Sequence, residues 1–311
     1  MMRLVPAATP AAGIGKLRNA RIVWPHGWIV AEDDTYLPDH SWFGEAIDEC
    51  PIYGRAELTP TMQLQGVTLN LCTDWSSNYG HLLFDSLPRL YLFERAGYKW
   101  DDVSHVLLPN LITEGQRTAV SLSGIPIEKI VPIEDFAVVE CEELLAPTFP
   151  GVRRNSPAWA VEFWRSKVSR PQRGRRLFIS RQGATRSLVN ENEITTLLGE
   201  FGFETIVSSG KAIREDYQEA EMIVGAHGAA LADILFCHPG TALIELTPPG
   251  HVYPYYYTVA DSAGMFYFSI LGSYPSIPRD VKTADFAVSP EILRATVLAA
   301  EGMIGAQREA P

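Results

Sequence analysis

The sequence predicts an α/β fold whose second half is an open, twisted, Rossmann-like parallel sheet. Three observations carry this. Apolar runs at 177–180, 204–207, 222–224 and 241–246 alternate with helix-compatible stretches at 191–201, 213–219 and 229–236, a β-α-β-α-β-α-β series. Strands joined through helices pair in parallel with right-handed crossovers. The run Met222-Ile223-Val224 leads directly into Gly225-Ala226-His227-Gly228-Ala229-Ala230-Leu231, a strand, tight turn and helix start at the sheet edge where such folds bind ligands. The composition, 46% apolar and 20% charged over 311 residues, is that of a globular chain with room for two domains.

In chain order, residues 21–24 and 28–30 read as a hairpin and 66–72 alternates like a further strand. An apolar helical segment runs over 78–96. Strand-like 103–108, helix-like 114–122 and short strands around 130 and at 138–145 follow, a βα alternation. Residues 148–174 mix Pro, Gly and Arg with an amphipathic Trp-bearing piece at 158–168 that suits a linker helix. The expected organisation is therefore a first lobe over 1–155, a second over 156–288, and a C-terminal helix over 289–311 whose apolar spacing suits a return to the first lobe. The tyrosines at 253–257 fit either a pocket wall or a core.

Charge and cysteine content narrow the function. A formal charge of −11 argues against a general nucleic-acid binder, and no stretch reaches the ~20 apolar residues of a membrane span. Cys50, Cys72, Cys141 and Cys237 are widely spaced, which suggests neither a zinc knuckle nor a disulfide framework and fits a reducing, cytoplasmic setting.

Two constellations carry chemistry. The first is Asn78, His81, Asp85 and Arg89, which at ~100° per helical residue share one arc of about 80°. With Leu82, Leu83, Phe84, Leu87 and Leu90 filling the rest of the circumference, this polar stripe would line a cleft. A carboxylate beside a histidine suits proton removal from a hydroxyl. The competing reading is an Asp85–Arg89 ion pair with His81 on a backbone carbonyl. Pro88 warns of a kink that would move Arg89 off the stripe.

The second gathers at the strand ends. Arg181 and Arg186 flank a short loop, and their guanidinium forks suit a diphosphate; the alternative for Arg181 is a neighbouring carboxylate. Asn190 with Glu193 reads as a capping box. The first-turn amides of the helix at Gly228 and Ala229 suit an anion. His227 would touch a phosphate or the sugar, or steady the turn, and Glu245 would meet ribose hydroxyls or solvent. No D-x-D follows a strand: Glu32-Asp33-Asp34 and Asp101-Asp102 look like loop acids. His81 and Asp85 lack an evident third ligand, so no metal site is expected.

Three ordered motifs, N-Y-x-H-x-x-x-D-x-L-P-R-L over 78–90, I-S-R-x(4)-R-x(3)-N-E over 179–191, and V-G-x-H-G-A-A-L-x(4)-F-x-x-P-G-x(4)-E over 224–245, resemble glycosyltransferase family 61. Its members include bacterial capsular-polysaccharide biosynthesis proteins and eukaryotic transferases of xylose or N-acetylglucosamine. The resemblance implies two Rossmann-like lobes of the GT-B type, the first trimmed in so short a chain. It further implies a nucleoside-diphosphate sugar, probed first as a UDP-sugar, on the C-terminal lobe, and inversion at the anomeric carbon. Asp85, with His81, would be the base; Arg181, Arg186, His227, Gly228, Ala229 and Glu245 would hold the donor, and Asn78, Arg89 and Asn190 would support. No cofactor is implied beyond the nucleotide-sugar substrate. The acceptor would be a glycan or lipid-linked saccharide at the inner face of the membrane, met through peripheral contact. Two other classes share such a sheet: a non-catalytic carbohydrate-binding or scaffold protein, and a dinucleotide-dependent oxidoreductase, which the lack of G-x-G-x-x-G disfavours.

Overall fold

The computed structural model describes residues 11–24, 26–41, 51–54, 58–73, 75–133, 137–151, 155–169, 173–207 and 214–309. Cys50 and Ile213 lie outside them. The chain divides into two compact units, Met1–Lys167 and Val168–Pro311, each with its own sheet.

The first unit contains, in order, β1 (Ile14–Val23), β2 (Trp28–Val30), β3 (Met62–Asn70), α1 (Tyr79–His81), α2 (Leu90–Arg95), β4 (His105–Pro109), α3 (Glu114–Ser123), β5 (Ile130–Ile133), β6 (Val138–Pro147) and α4 (Ala158–Arg165). Its sheet order is β2-β1-β6-β3-β4-β5. The expected hairpin forms, with Arg21 opposite Val30 and Val23 opposite Trp28. The sheet is mixed rather than Rossmann-like throughout. β1 runs antiparallel to β2 and β6, and only β6, β3, β4 and β5 are mutually parallel. For β1 and β2 the reason is local: they are joined by a short connection, which permits only antiparallel pairing. Ile22, Ile29, Leu64, Leu107, Val139 and Leu144 form its buried core.

Segment 78–95 is not one α-helix. Pro88 has no amide hydrogen to continue the ladder. The chain responds with a π-helical turn over Leu82–Ser86, in which the Leu87 amide reaches back five residues to the Leu82 carbonyl, then a 3-10 turn over Leu87–Arg89. The Leu83 carbonyl that Leu87 would have used accepts instead from Trp164 Nε1 of α4 at 2.8 Å. Helix α4 is thereby part of the first unit rather than a linker, and the units meet at Lys167/Val168 rather than at residue 155. The extra residue in the turn rotates everything after it, so Arg89 leaves the polar stripe. It is fully buried, with Nε donating to the Pro147 carbonyl (3.1 Å), Nη1 to the Cys72 carbonyl (3.2 Å), and its guanidinium 4.7 Å from the Phe149 ring centre. Burial pulls its pKa down to about 9, partly opposed by Cys72 and Asp85.

The second unit contains β7 (Arg175–Ser180), α5 (Glu191–Glu200), β8 (Phe203–Val207), α6 (Arg214–Glu219), β9 (Ala220–Ala226), β10 (Ala242–Thr247), α7 (Tyr255–Ser262), β11 (Phe266–Leu271) and α8 (Pro290–Glu309). All five strands are parallel, in the order β11-β10-β9-β7-β8. β7, β8, β9 and β10 are the four strands of the sequence reading; β11 and α7 were not foreseen. α5 and α8 cover one face, where Ile194, Leu198, Leu293, Val297 and Ile304 pack on Phe178, Val224 and Ile244. Ion pairs reinforce this: Arg176 bridges Glu221 (3.0 Å) and Glu301 (2.6 Å), and Arg308 also reaches Glu221 (2.6 Å). The apolar stripe of α8, expected to suit the first lobe, is thus spent on the second sheet. The segment Ala229–Phe236 is a 3-10 helix rather than the α-helix its composition suggests.

Arg89 links the end of β6 to the segment just after β3 through the Pro147 and Cys72 carbonyls. Arg89→Ala removes these hydrogen bonds and leaves a cavity, so urea unfolding should show a loss of about 3 kcal/mol or more, which Arg89→Lys, lacking the planar fork, recovers only in part.

Candidate functional site

In the first unit, three contacts place the π turn. Asn78 caps α1, its Oδ1 accepting from the Gly80 amide at 2.9 Å. Gln116, inside the capping box of α3, donates from Nε2 to the Ser77 carbonyl at 2.6 Å. Ser86 Oγ donates to the Leu71 carbonyl at 2.6 Å, tying the turn to the end of β3. Asp85 is held on this frame, 7% exposed, and His81 Nδ1 lies 2.7 Å from its Oδ2. Of the four residues of the stripe, the structure therefore joins His81 with Asp85, uses Asn78 as a cap, and sends Arg89 inward. The alternative ion pair between Asp85 and Arg89 does not form: the hydrogen bonds of Arg89 go to carbonyls. A buried carboxylate bonded to a half-buried imidazole is equipped to accept a proton from a hydroxyl.

In the second unit, register assembles the other constellation. Gly225 stands beside Ile179 of β7 on one side and Glu245 of β10 on the other. Side chains alternate along a strand, so Gly225 and His227 share a face with Glu245. Gly225 carries nothing there, and a Cβ would stand 2.8 Å from Leu231 Cδ2; its bareness lets Leu231 lie over the sheet. The His227 amide continues the pairing by donating to the Leu246 carbonyl at 3.0 Å.

His227 is 5% exposed and Glu245 1%. His227 Nδ1 is hydrogen-bonded to Glu245 Oε1, and Tyr267 donates to Oε2 at 2.6 Å. Both carboxylate oxygens are thus engaged inside the protein, and Glu245 is a partner of His227 rather than a strand-end acid open to ribose hydroxyls or solvent. Around the imidazole stand the rings of His251, Tyr253 and Tyr256 at 4.8, 6.2 and 4.9 Å. Tyr256 donates to the Gly228 carbonyl at 2.6 Å, pinning α7 to the glycine turn. Burial and then the Glu245 charge push the phenols of Tyr256 and Tyr267 well above the usual tyrosine range. The sequence marked Tyr256 only as one of a cluster, and Tyr267 and His251 not at all. A hydroxyl-bearing ring between Phe266 and Phe268 was the available signal for Tyr267.

Arg181 lies one residue past β7, and its Nε and Nη2 both donate to the Thr185 carbonyl (3.2 and 2.8 Å). Its guanidinium occupies the space that a Cβ at position 228 would need, so any larger residue there must push it aside. Arg186, in a left-handed conformation (φ 59°), follows four residues after the turn begins, and its buried Nε has no hydrogen-bond partner. Among the described residues neither arginine makes an ion pair. Burial, then Arg186, lowers the pKa of Arg181; burial alone drives that of Arg186 down, against the tyrosines. Two partly buried cations without a carboxylate form a site that gains from an anion. Asn190 precedes α5 without closing the expected box. Its amide nitrogen donates to Glu193 (3.2 Å) and to the Val288 carbonyl (2.9 Å), because Val288 lies close enough to compete for the group. Among the described residues, no three His, Cys, Asp or Glu side chains gather as a metal site. Cys72, Cys141 and Cys237 are buried and free. Among the described residues no helix is long and apolar enough to cross a membrane.

The family model described as Glycosyltransferase 61 matches residues 79–244, more than half of the chain. The match takes in His81, Asp85, Arg181, Arg186, His227, Gly228 and Ala229, and ends one residue before Glu245. No curated protein matches the chain.

The contact between Gly228 and Arg181 gives a direct test of the arginine pair. Gly228→Ala should displace the Arg181 guanidinium and weaken binding of inorganic pyrophosphate about tenfold or more by calorimetry, with the far-ultraviolet dichroism unchanged.

Proposed function

The chain belongs to glycosyltransferase family 61, and on that premise we propose that it is an inverting, metal-independent transferase of the GT-B class. It moves a hexosyl or pentosyl group from a nucleoside-diphosphate sugar, a UDP-sugar in the first instance, to a hydroxyl of a glycan or lipid-linked saccharide in polysaccharide biosynthesis. The observation that carries the reading is the arginine pair: Arg181, against a glycine turn at the C-terminal edge of a parallel sheet, and Arg186 in the same loop, neither with an ion-pair partner among the described residues. Guanidinium groups so placed match the charge and geometry of a departing diphosphate, the role that a divalent cation plays elsewhere.

In the proposed reaction, Asp85 accepts the proton of the acceptor hydroxyl as that oxygen bonds to C1 of the sugar. The C1–O bond to the diphosphate breaks, and its electron pair leaves with the nucleoside diphosphate, so the configuration at C1 inverts. His81 orients Asp85 or takes the proton in its place. Arg181, Arg186, His227 and the amides of Gly228 and Ala229 meet the growing charge on the leaving group. The protein would act in the cytoplasm, with peripheral contact at the inner face of the membrane serving a lipid-linked acceptor.

Two measurements test this. In a thermal-shift panel of UDP, GDP, CMP and NAD, one nucleoside diphosphate should stabilise the protein, by about 2.7 kcal/mol at a hundredfold excess over Kd, and EDTA should leave the shift intact. Stabilisation by NAD alone would instead favour an oxidoreductase. Asp85→Asn should cut kcat for transfer about 100-fold or more while the nucleotide Kd stays as in the wild type; full transfer by both Asp85→Asn and His81→Ala would remove the base assignment.

A further inference from the structure

Glu245 is a buried carboxylate whose partners are an imidazole and a phenol rather than an arginine or lysine. Burying such a charge is costly unless it is well satisfied. Its geometry gives it a task. When Glu245 is ionised its oxygens only accept, so the hydrogen of its bond to His227 then belongs to Nδ1 of the imidazole, and Nε2 lies on the other side of the ring. Tyr267, donating to the second oxygen, stops the carboxylate from turning. The ring is further confined by Tyr256 from α7 and by His251 and Tyr253 from the preceding loop. Two strands and a helix thus confine the plane of the His227 ring.

We propose that Glu245 and Tyr267 are positioning residues for His227, holding its proton on Nδ1 so that Nε2 meets the diphosphate of the donor. The inference rests on the donor reading given above. A diphosphate oxygen is an acceptor, so Nε2 must carry a proton in the complex, and binding draws that proton from solvent. Glu245 on one side and the diphosphate on the other then flank an imidazolium. The other titratable and charged groups facing the site are Tyr256, His251 and Tyr253, together with Arg181 and Arg186, whose charges bear on Tyr256.

Nitrogen NMR of protein labelled at histidine, with His227→Gln to assign the signal, reads the tautomer directly. The expected result is Nδ1–H in the free protein and an imidazolium with UDP bound. Glu245→Gln should lose the Nδ1–H preference, because the amide can donate to Nδ1, and should weaken UDP about tenfold or more. Tyr267→Phe keeps the carboxylate and should weaken UDP about threefold, with the melting temperature little changed. An Nε2–H tautomer in the free wild type overturns the proposal. So does Glu245→Gln with wild-type tautomer and UDP affinity, and wild type together with Tyr267→Phe decide the matter if Glu245→Gln does not fold. If the tautomers come out as expected but no nucleoside diphosphate binds the wild type, the donor reading fails while the positioning of His227 stands.

Discussion

The hydrogen-bond register of the parallel sheet in the second unit is the constraint on which its chemistry depends. Pairing Ile179 with Gly225 and Gly225 with Glu245 decides that His227 emerges on the same face as its carboxylate partner. A slip of one residue would send the imidazole to the opposite face, into the apolar layer under α5 and α8. That layer is therefore more than ballast. By burying Val224, Ile244 and Phe178 against two helices it makes every other register expensive, and so protects an arrangement formed on the other side of the sheet.

The first unit solves a comparable problem with an irregularity. A regular helix through 78–95 would have needed the amide hydrogen that Pro88 lacks. The π turn that replaces it frees the Leu83 carbonyl for Trp164 and turns Arg89 into the core. His81 and Asp85 lie across the start of the irregular stretch and keep their i, i+4 contact. Those after it change partners. Ser86 and Arg89, donating to the Leu71, Cys72 and Pro147 carbonyls, and Gln116, donating to the Ser77 carbonyl, then tie the irregular segment to its neighbours.

Much of this was legible in the residues. Alternation of apolar runs with helical spacing located four of the five parallel strands, and the sequence interval between His81 and Asp85 was enough to bring them together. What the sequence hid follows from tertiary competition. Asn190 had a capping partner three residues on, but Val288, distant in the chain, drew its amide away. Glu245 read as a strand-end acid because nothing local shows that β11 will lie alongside and supply Tyr267. The mixed first sheet, the 3-10 form of Ala229–Phe236 and the commitment of α8 to the second sheet are likewise set by packing, against which local propensity is a weak guide.

The strand β9 shows what such an arrangement asks of the newly made chain. All seven of its residues, Ala220–Ala226, are buried, and its neighbours β7 and β10 lie on opposite sides of it in sequence. Until β10 has been synthesised and docked beside it, a buried strand with at least one unpaired edge is exposed, and loop closure must precede any gain from pairing. Folding of the second unit should then be slow compared with that of a helical domain of similar size. The same segment that later presents the glycine turn is, during synthesis, the stretch most in need of a chaperone.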